Sequence, residues 1–91
     1  MASYELVFKK SVAKDLRALP TRDVRRILNR IRALADDPRC PGSEKLSGRE
    51  LYRVRQGLYR IVYAIEDSKL IVEVIRIIAH RSAVYRRNPR Q

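Results

Sequence analysis

The chain has 91 residues, of which 21 are Lys or Arg and 10 are Asp or Glu, giving a net charge of +11 at pH 7 with a hydrophobic content of 45%. That length predicts a single domain over residues 1–91, and the apolar content argues against disorder. The lone Cys40 excludes an internal disulfide framework and a cysteine-based metal cluster. No apolar run is long enough to span a bilayer, and the start lacks the basic and apolar segments of a signal peptide, so a soluble cytoplasmic protein is expected, with no membrane partner. The excess of positive charge predicts an anionic partner. Because arginine rather than lysine supplies most of it, and a planar guanidinium suits bidentate contact with phosphate, nucleic acid is the expected class.

Residues 4–9 (Tyr-Glu-Leu-Val-Phe-Lys) read as a short strand. Ser11 is placed to cap a helix running to about Leu19, with Val12, Leu16 and Leu19 on one stripe and Pro20 as its stop. Thr21 is placed to cap a second helix, in which Val24, Ile27, Leu28, Ile31, Leu34 and Ala35 recur at helical spacing. Arg22, Arg25, Arg26, Arg30 and Arg32 fall mostly off that stripe and read as a solvated face. Asp36-Asp37-Pro38 ends this helix, because proline disfavours helical backbone in the residue before it. Residues 38–50 read as a loop rich in Pro, Gly and Ser.

Leu51-Tyr-Arg-Val-Arg-Gln-Gly-Leu-Tyr-Arg-Ile-Val-Tyr63 predicts a β-hairpin turning at Gln56-Gly57. That register sets Arg53 opposite Arg60 and gathers Arg53, Arg55 and Arg60 on one face, with Tyr52, Tyr59 and Tyr63 on the other as core. Like charges directly opposed destabilise a hairpin, so retaining them there implies a bound anion, with phosphate the obvious candidate. A turn follows at residues 66–69. The run from Leu70 to Ile78, apolar at nearly every position, predicts a central strand covered on much of both faces. The tail carries Tyr85 among cations and predicts a short helical turn. The expected fold is α+β: an N-terminal strand, a two-helix hairpin on one face of a small twisted antiparallel sheet, and a short C-terminal helical tail.

Walker loops, dinucleotide fingerprints, clustered His and Cys ligands and paired carboxylates are absent, and His80 is the only histidine. What remains is arginine, tyrosine and one histidine, a set able to surround a phosphodiester and stabilise its added charge during attack.

Gly57-Leu-Tyr-Arg-Ile-Val-Tyr63 and His80-Arg-Ser-Ala-Val-Tyr85, preceded by Lys45-Leu-Ser-Gly48 and Leu51-Tyr-Arg-Val-Arg55, resemble the RelE/ParE superfamily of bacterial and archaeal toxins over essentially the whole chain. The resemblance to RelE-type members implies a toxin that cleaves mRNA in the 30S ribosomal A site. The chemistry it implies is attack of a ribose 2′-hydroxyl on its adjacent phosphate, with no metal and no cofactor. It also implies neutralisation by a small RelB-like antitoxin. By position it makes Arg60 the residue that binds the scissile phosphate, and Arg53 and Arg55 contacts to the backbone and transition state. Arg81 would assist the leaving 5′-oxygen, and Tyr85 would stack on a base and act as general base. A phenol is a poor base at neutral pH, and clustered guanidinium groups would favour its phenolate. Lys45, Arg49, His80, Arg86 and Arg87 are further candidates for contacting RNA, and His80 reads either as a proton donor or as a polar residue at a strand end. Two other classes stay open: a ParE-like inhibitor of DNA gyrase without ribonuclease activity, and a non-catalytic RNA-binding module.

Overall fold

A computed structural model describes residues 3–46 and 50–79. The chain runs β1 (Glu5–Phe8), α1 (Lys10–Arg17), α2 (Thr21–Asp36), β2 (Glu44–Lys45), β3 (Leu51–Gln56), β4 (Tyr59–Glu66), a 3-10 turn (Asp67–Lys69) and β5 (Ile71–Ala79). The five strands form one sheet in the order β1-β5-β4-β3-β2. The α+β expectation holds, but the sheet is mixed, because β1 lies parallel to β5 while the other pairs are antiparallel. The helical connection after β1 returns the chain to the far side of the sheet, so β1 and β5 meet in the same direction although most of the sequence separates them. The predicted helical tail lies outside the described residues.

Both helices cover one face of the sheet. Val12 from α1 and Ile27, Ile31 and Leu34 from α2 pack against Tyr52, Val54, Tyr59, Ile61, Tyr63, Ile65, Val72, Val74 and Ile77. The spacing of Ile27, Ile31 and Leu34 is the inward stripe the sequence predicts, and Arg22, Arg25, Arg26 and Arg32 are exposed on the far side of α2, whereas Arg30, expected on that solvated face, is half-buried with its Nε enclosed. The capping expectations fail. Lys9 and Pro20 occupy the N-cap positions, with no side-chain cap at either helix. Ser11 instead donates from Oγ to the Ile75 carbonyl at 2.9 Å, tying α1 to β5. Pro20 serves both helices, stopping α1 and entering α2 with a preset φ of −60°.

Beyond Phe8, β5 loses its neighbour on the β1 side. Asp15 covers that edge: Oδ2 accepts the Ile77 amide at 2.9 Å and the Arg76 Nε at 3.1 Å. The expectation of a central strand is therefore met only over the first half of β5. The β4–β5 register pairs Val62 with Arg76 but Tyr63 with Val74, so Ile75 is an extra residue in a β-bulge. The bulge inverts the alternation, which is why Val72, Val74 and Ile77 can all be buried, and why the run looks apolar throughout.

The segment expected to be an irregular loop contains β2, a two-residue edge strand. Before it, Arg39 holds the loop to the rest of the fold. Its guanidinium grips both Asp67 carboxylate oxygens at 3.1 and 2.9 Å, donates to the Tyr52 hydroxyl at 3.1 Å and lies 5.4 Å from the centre of that ring. The Tyr4 hydroxyl also donates to Asp67, at 2.7 Å. Hydrogen bonds from Arg39 and then Tyr4 pull the Asp67 carboxyl down to about 2. Tyr63, fully buried and stacked on Tyr52, donates to the Pro38 carbonyl at 2.6 Å, and burial pushes its phenol up to about 12.

Candidate functional site

The face of the sheet not covered by helices carries the candidate site. The β3–β4 hairpin pairs Gln56 with Tyr59, Arg55 with Arg60, Val54 with Ile61 and Arg53 with Val62. Its two-residue loop is therefore Gly57-Leu58, with Gly57 at φ +61°, and not the predicted Gln56-Gly57. Arg60 faces Arg55 instead of Arg53. The correction slides one strand by two residues, a full pleat period, so the facing of every side chain survives. Arg53, Arg55 and Arg60 share the open face, while Tyr52, Tyr59 and Tyr63 are buried on the helix side.

Directly paired residues have Cβ atoms roughly 5 Å apart, so Arg55 and Arg60 start close enough for their guanidinium groups to reach one anion. Arg60 is half-buried, and its Nε is buried with no hydrogen-bond partner among the described residues. A buried donor left open in this way is costly unless a ligand completes it. Arg55 is exposed and makes no ion pair among the described residues.

Arg53 is engaged by a residue that the sequence reading passed over. Glu44, directly opposite on β2, accepts at one oxygen from Arg53 Nε at 2.8 Å and Nη2 at 2.6 Å. The Glu44 carboxyl is held below its usual value, first by that hydrogen bond, then by the charge of Arg53, and further by the charges of Arg55 and Arg60. One carboxylate thus feels all three guanidinium groups. A strand of two residues has no periodicity to read, and only the pairing with β3 reveals where Glu44 points.

Lys45 pairs with Tyr52, which puts it on the helix side of the sheet and away from the arginines. Its ammonium sits 3.0 Å from Glu50. The structure does not bring Lys45 to the cluster. Arg49, His80, Arg81, Tyr85, Arg86 and Arg87 lie outside the described residues. The last described residue, Ala79, pairs with Tyr59, and its neighbour Ile78 pairs with Arg60, so the described part of β5 ends beside Arg60.

A family model described as the ParE toxin of type II toxin–antitoxin systems matches residues 6–84. The chain belongs to the RelE/ParE toxin family. This RelE/ParE toxin is 36% identical over 88 residues to Toxin RelE of Mycobacterium tuberculosis, covering 94% of this chain and 90% of that protein. Its fold is similar to the isolated Escherichia coli RelE toxin, with a TM-score of 0.76 at 28% identity over 93% of this chain and 94% of that one. It is also similar to the archaeal RelE–RelB complex from Pyrococcus horikoshii, at TM-score 0.77 and 28% identity over 87% of this chain and 97% of that one. The chain is accordingly a RelE-like toxin of a toxin–antitoxin system.

Proposed function

We propose that this toxin is a ribosome-dependent endoribonuclease that cuts mRNA in the A site and so stops translation. The observation that supports the reading is the direct pairing of Arg55 with Arg60 on the open sheet face that Arg53 shares, with the buried Arg60 Nε lacking an acceptor among the described residues. In the reaction a ribose 2′-oxygen bonds to its adjacent phosphorus as the bond to the 5′-oxygen breaks, leaving a 2′,3′-cyclic phosphate and a free 5′-hydroxyl. Negative charge builds on the phosphoryl oxygens, where prealigned guanidinium groups stabilise the transition state more than the ground state. Following the family resemblance, Tyr85 takes the proton of the 2′-hydroxyl and Arg81 assists the departing 5′-oxygen.

The partner is a small RelB-like antitoxin, by analogy with the Pyrococcus RelE–RelB complex. An acidic segment would neutralise the arginine face. Its apolar residues would enter a cleft of about 520 Å³ between α1 and β5, lined by Ala18, Leu19, Tyr59 and Ile77.

The test is cleavage of translated mRNA by purified toxin, with 5′-end mapping of the products. Cuts in register with codons are expected, and Arg60→Ala should slow cleavage about 10²- to 10³-fold while leaving the fold intact. Because the matching family model is named for ParE, a gyrase inhibitor is the second reading. Gyrase-dependent DNA breaks with no cut in mRNA would put it first.

A further inference from the structure

We infer that Glu44 is a built-in competitor for the RNA phosphate, a carboxylate that fills part of the anion position when no RNA is bound and must be exchanged for a phosphate as RNA enters. This inference rests on reading the open sheet face as a phosphate site. Glu44 has the geometry of a stand-in. One oxygen takes two donors of Arg53, and the same carboxylate lies within the fields of Arg55 and Arg60. It does not satisfy the site, because among the described residues the buried Nε of Arg60 has no acceptor. It can also leave easily. The Glu44 side chain is 62% exposed and hangs from a two-residue edge strand, so withdrawing it costs its bonds to Arg53 and little packing.

The exchange sets both affinity and salt response. A phosphate arriving at an arginine normally releases a condensed counterion from the RNA, and each such contact steepens the dependence on salt. A phosphate arriving at Arg53 must instead displace Glu44, whose own charge then repels the strand until screened. An exposed ion pair of this kind is weak, so the competition should be worth only a few-fold in affinity. It suppresses loose contact with phosphates that satisfy Arg53 alone, and it favours one held by Arg55 and Arg60 as well.

The test is equilibrium binding of a fluorescent single-stranded oligoribonucleotide, 2′-O-methylated throughout so that it cannot be cut. The full chain is compared with Glu44→Gln, Glu44→Ala and Arg60→Ala across a salt series. Both Glu44 variants should bind roughly two- to fivefold more tightly at low salt, with a slope of log Kd against log salt steeper by up to about 0.7. Melting temperatures verify that each variant is folded. Unchanged or weaker binding by the Glu44 variants, with Arg60→Ala weaker than wild type, would overturn the inference and leave the proposed function standing. A carboxylate that merely pins β2 to β3 would alter the melting temperature without altering the slope. Equal binding by wild type and Arg60→Ala would instead overturn the phosphate-site reading itself.

Discussion

At the scale of single residues, this protein uses arginine in two distinct ways. Arg39 is structural: its fork is filled by Asp67, its Nε by the Tyr52 hydroxyl, and its plane lies against that ring. Arg60 has a buried nitrogen that nothing among the described residues satisfies. The first arrangement closes a fold, and the second is the one expected of a ligand-binding arginine. Asp67 makes the structural use testable by pH. Its carboxyl sits near 2 in the folded protein against 3.8 for the free group. A depressed folded value means that the contribution is complete above about pH 4 and disappears as pH falls toward 2. The wild-type melting temperature should therefore decline over that window. Asp67→Asn should melt lower at neutral pH and show a smaller decline across the same acidic range. An identical decline in both proteins would place the acid sensitivity elsewhere.

At the scale of elements, the hairpin shows what a pattern can and cannot specify. Alternation assigned Arg53, Arg55 and Arg60 to one face and the tyrosines to the other, and the observed pairing agrees. The turn was misplaced by one residue because Gln56-Gly57 and Gly57-Leu58 both offer the glycine a tight loop needs. The observed loop sets Gly57 at φ +61° with open space where a Cβ would stand. Gly57→Ala should therefore destabilise through backbone conformation alone, by about 1 kcal/mol, in urea unfolding. Gly57→Asn should recover part of that loss, because asparagine tolerates the left-handed region. In β5, by contrast, the bulge at Ile75 broke the alternation, and a one-sided strand passed for a strand buried on both faces.

At the scale of the whole molecule, the sheet separates two tasks. Its inner face and the two helices make the core, and its outer face holds the arginine cluster. With a net charge of +11, the surface attracts polyanions before any specific contact forms, and the proposed RNA substrate is one. Binding of a single strand should weaken steeply with salt, by about 0.7 in the log–log slope for each phosphate contacted. Arg60→Ala should lower that slope by about one contact when followed by fluorescence anisotropy. A slope unaffected by Arg60→Ala would show that this residue does not meet phosphate.

The residue order alone determined the periodic features: the inward stripe of α2, the facing of the hairpin arginines and tyrosines, the end of α2 before Pro38 and the positive charge. Each is a local property, because a side chain's direction follows from its own backbone period and from neighbours a few positions away. Pairings between distant segments were decided only when the chain closed. Tyr4 and Asp67 meet across 63 positions and Arg39 and Asp67 across 28, and β1 finds β5 in parallel. Glu44 reaches Arg53 only because an edge strand too short to carry a pattern adds itself to β3. Nothing in local spacing encodes such contacts. They are selected by burial of a shared core, and they place the Glu44 carboxylate on Arg53.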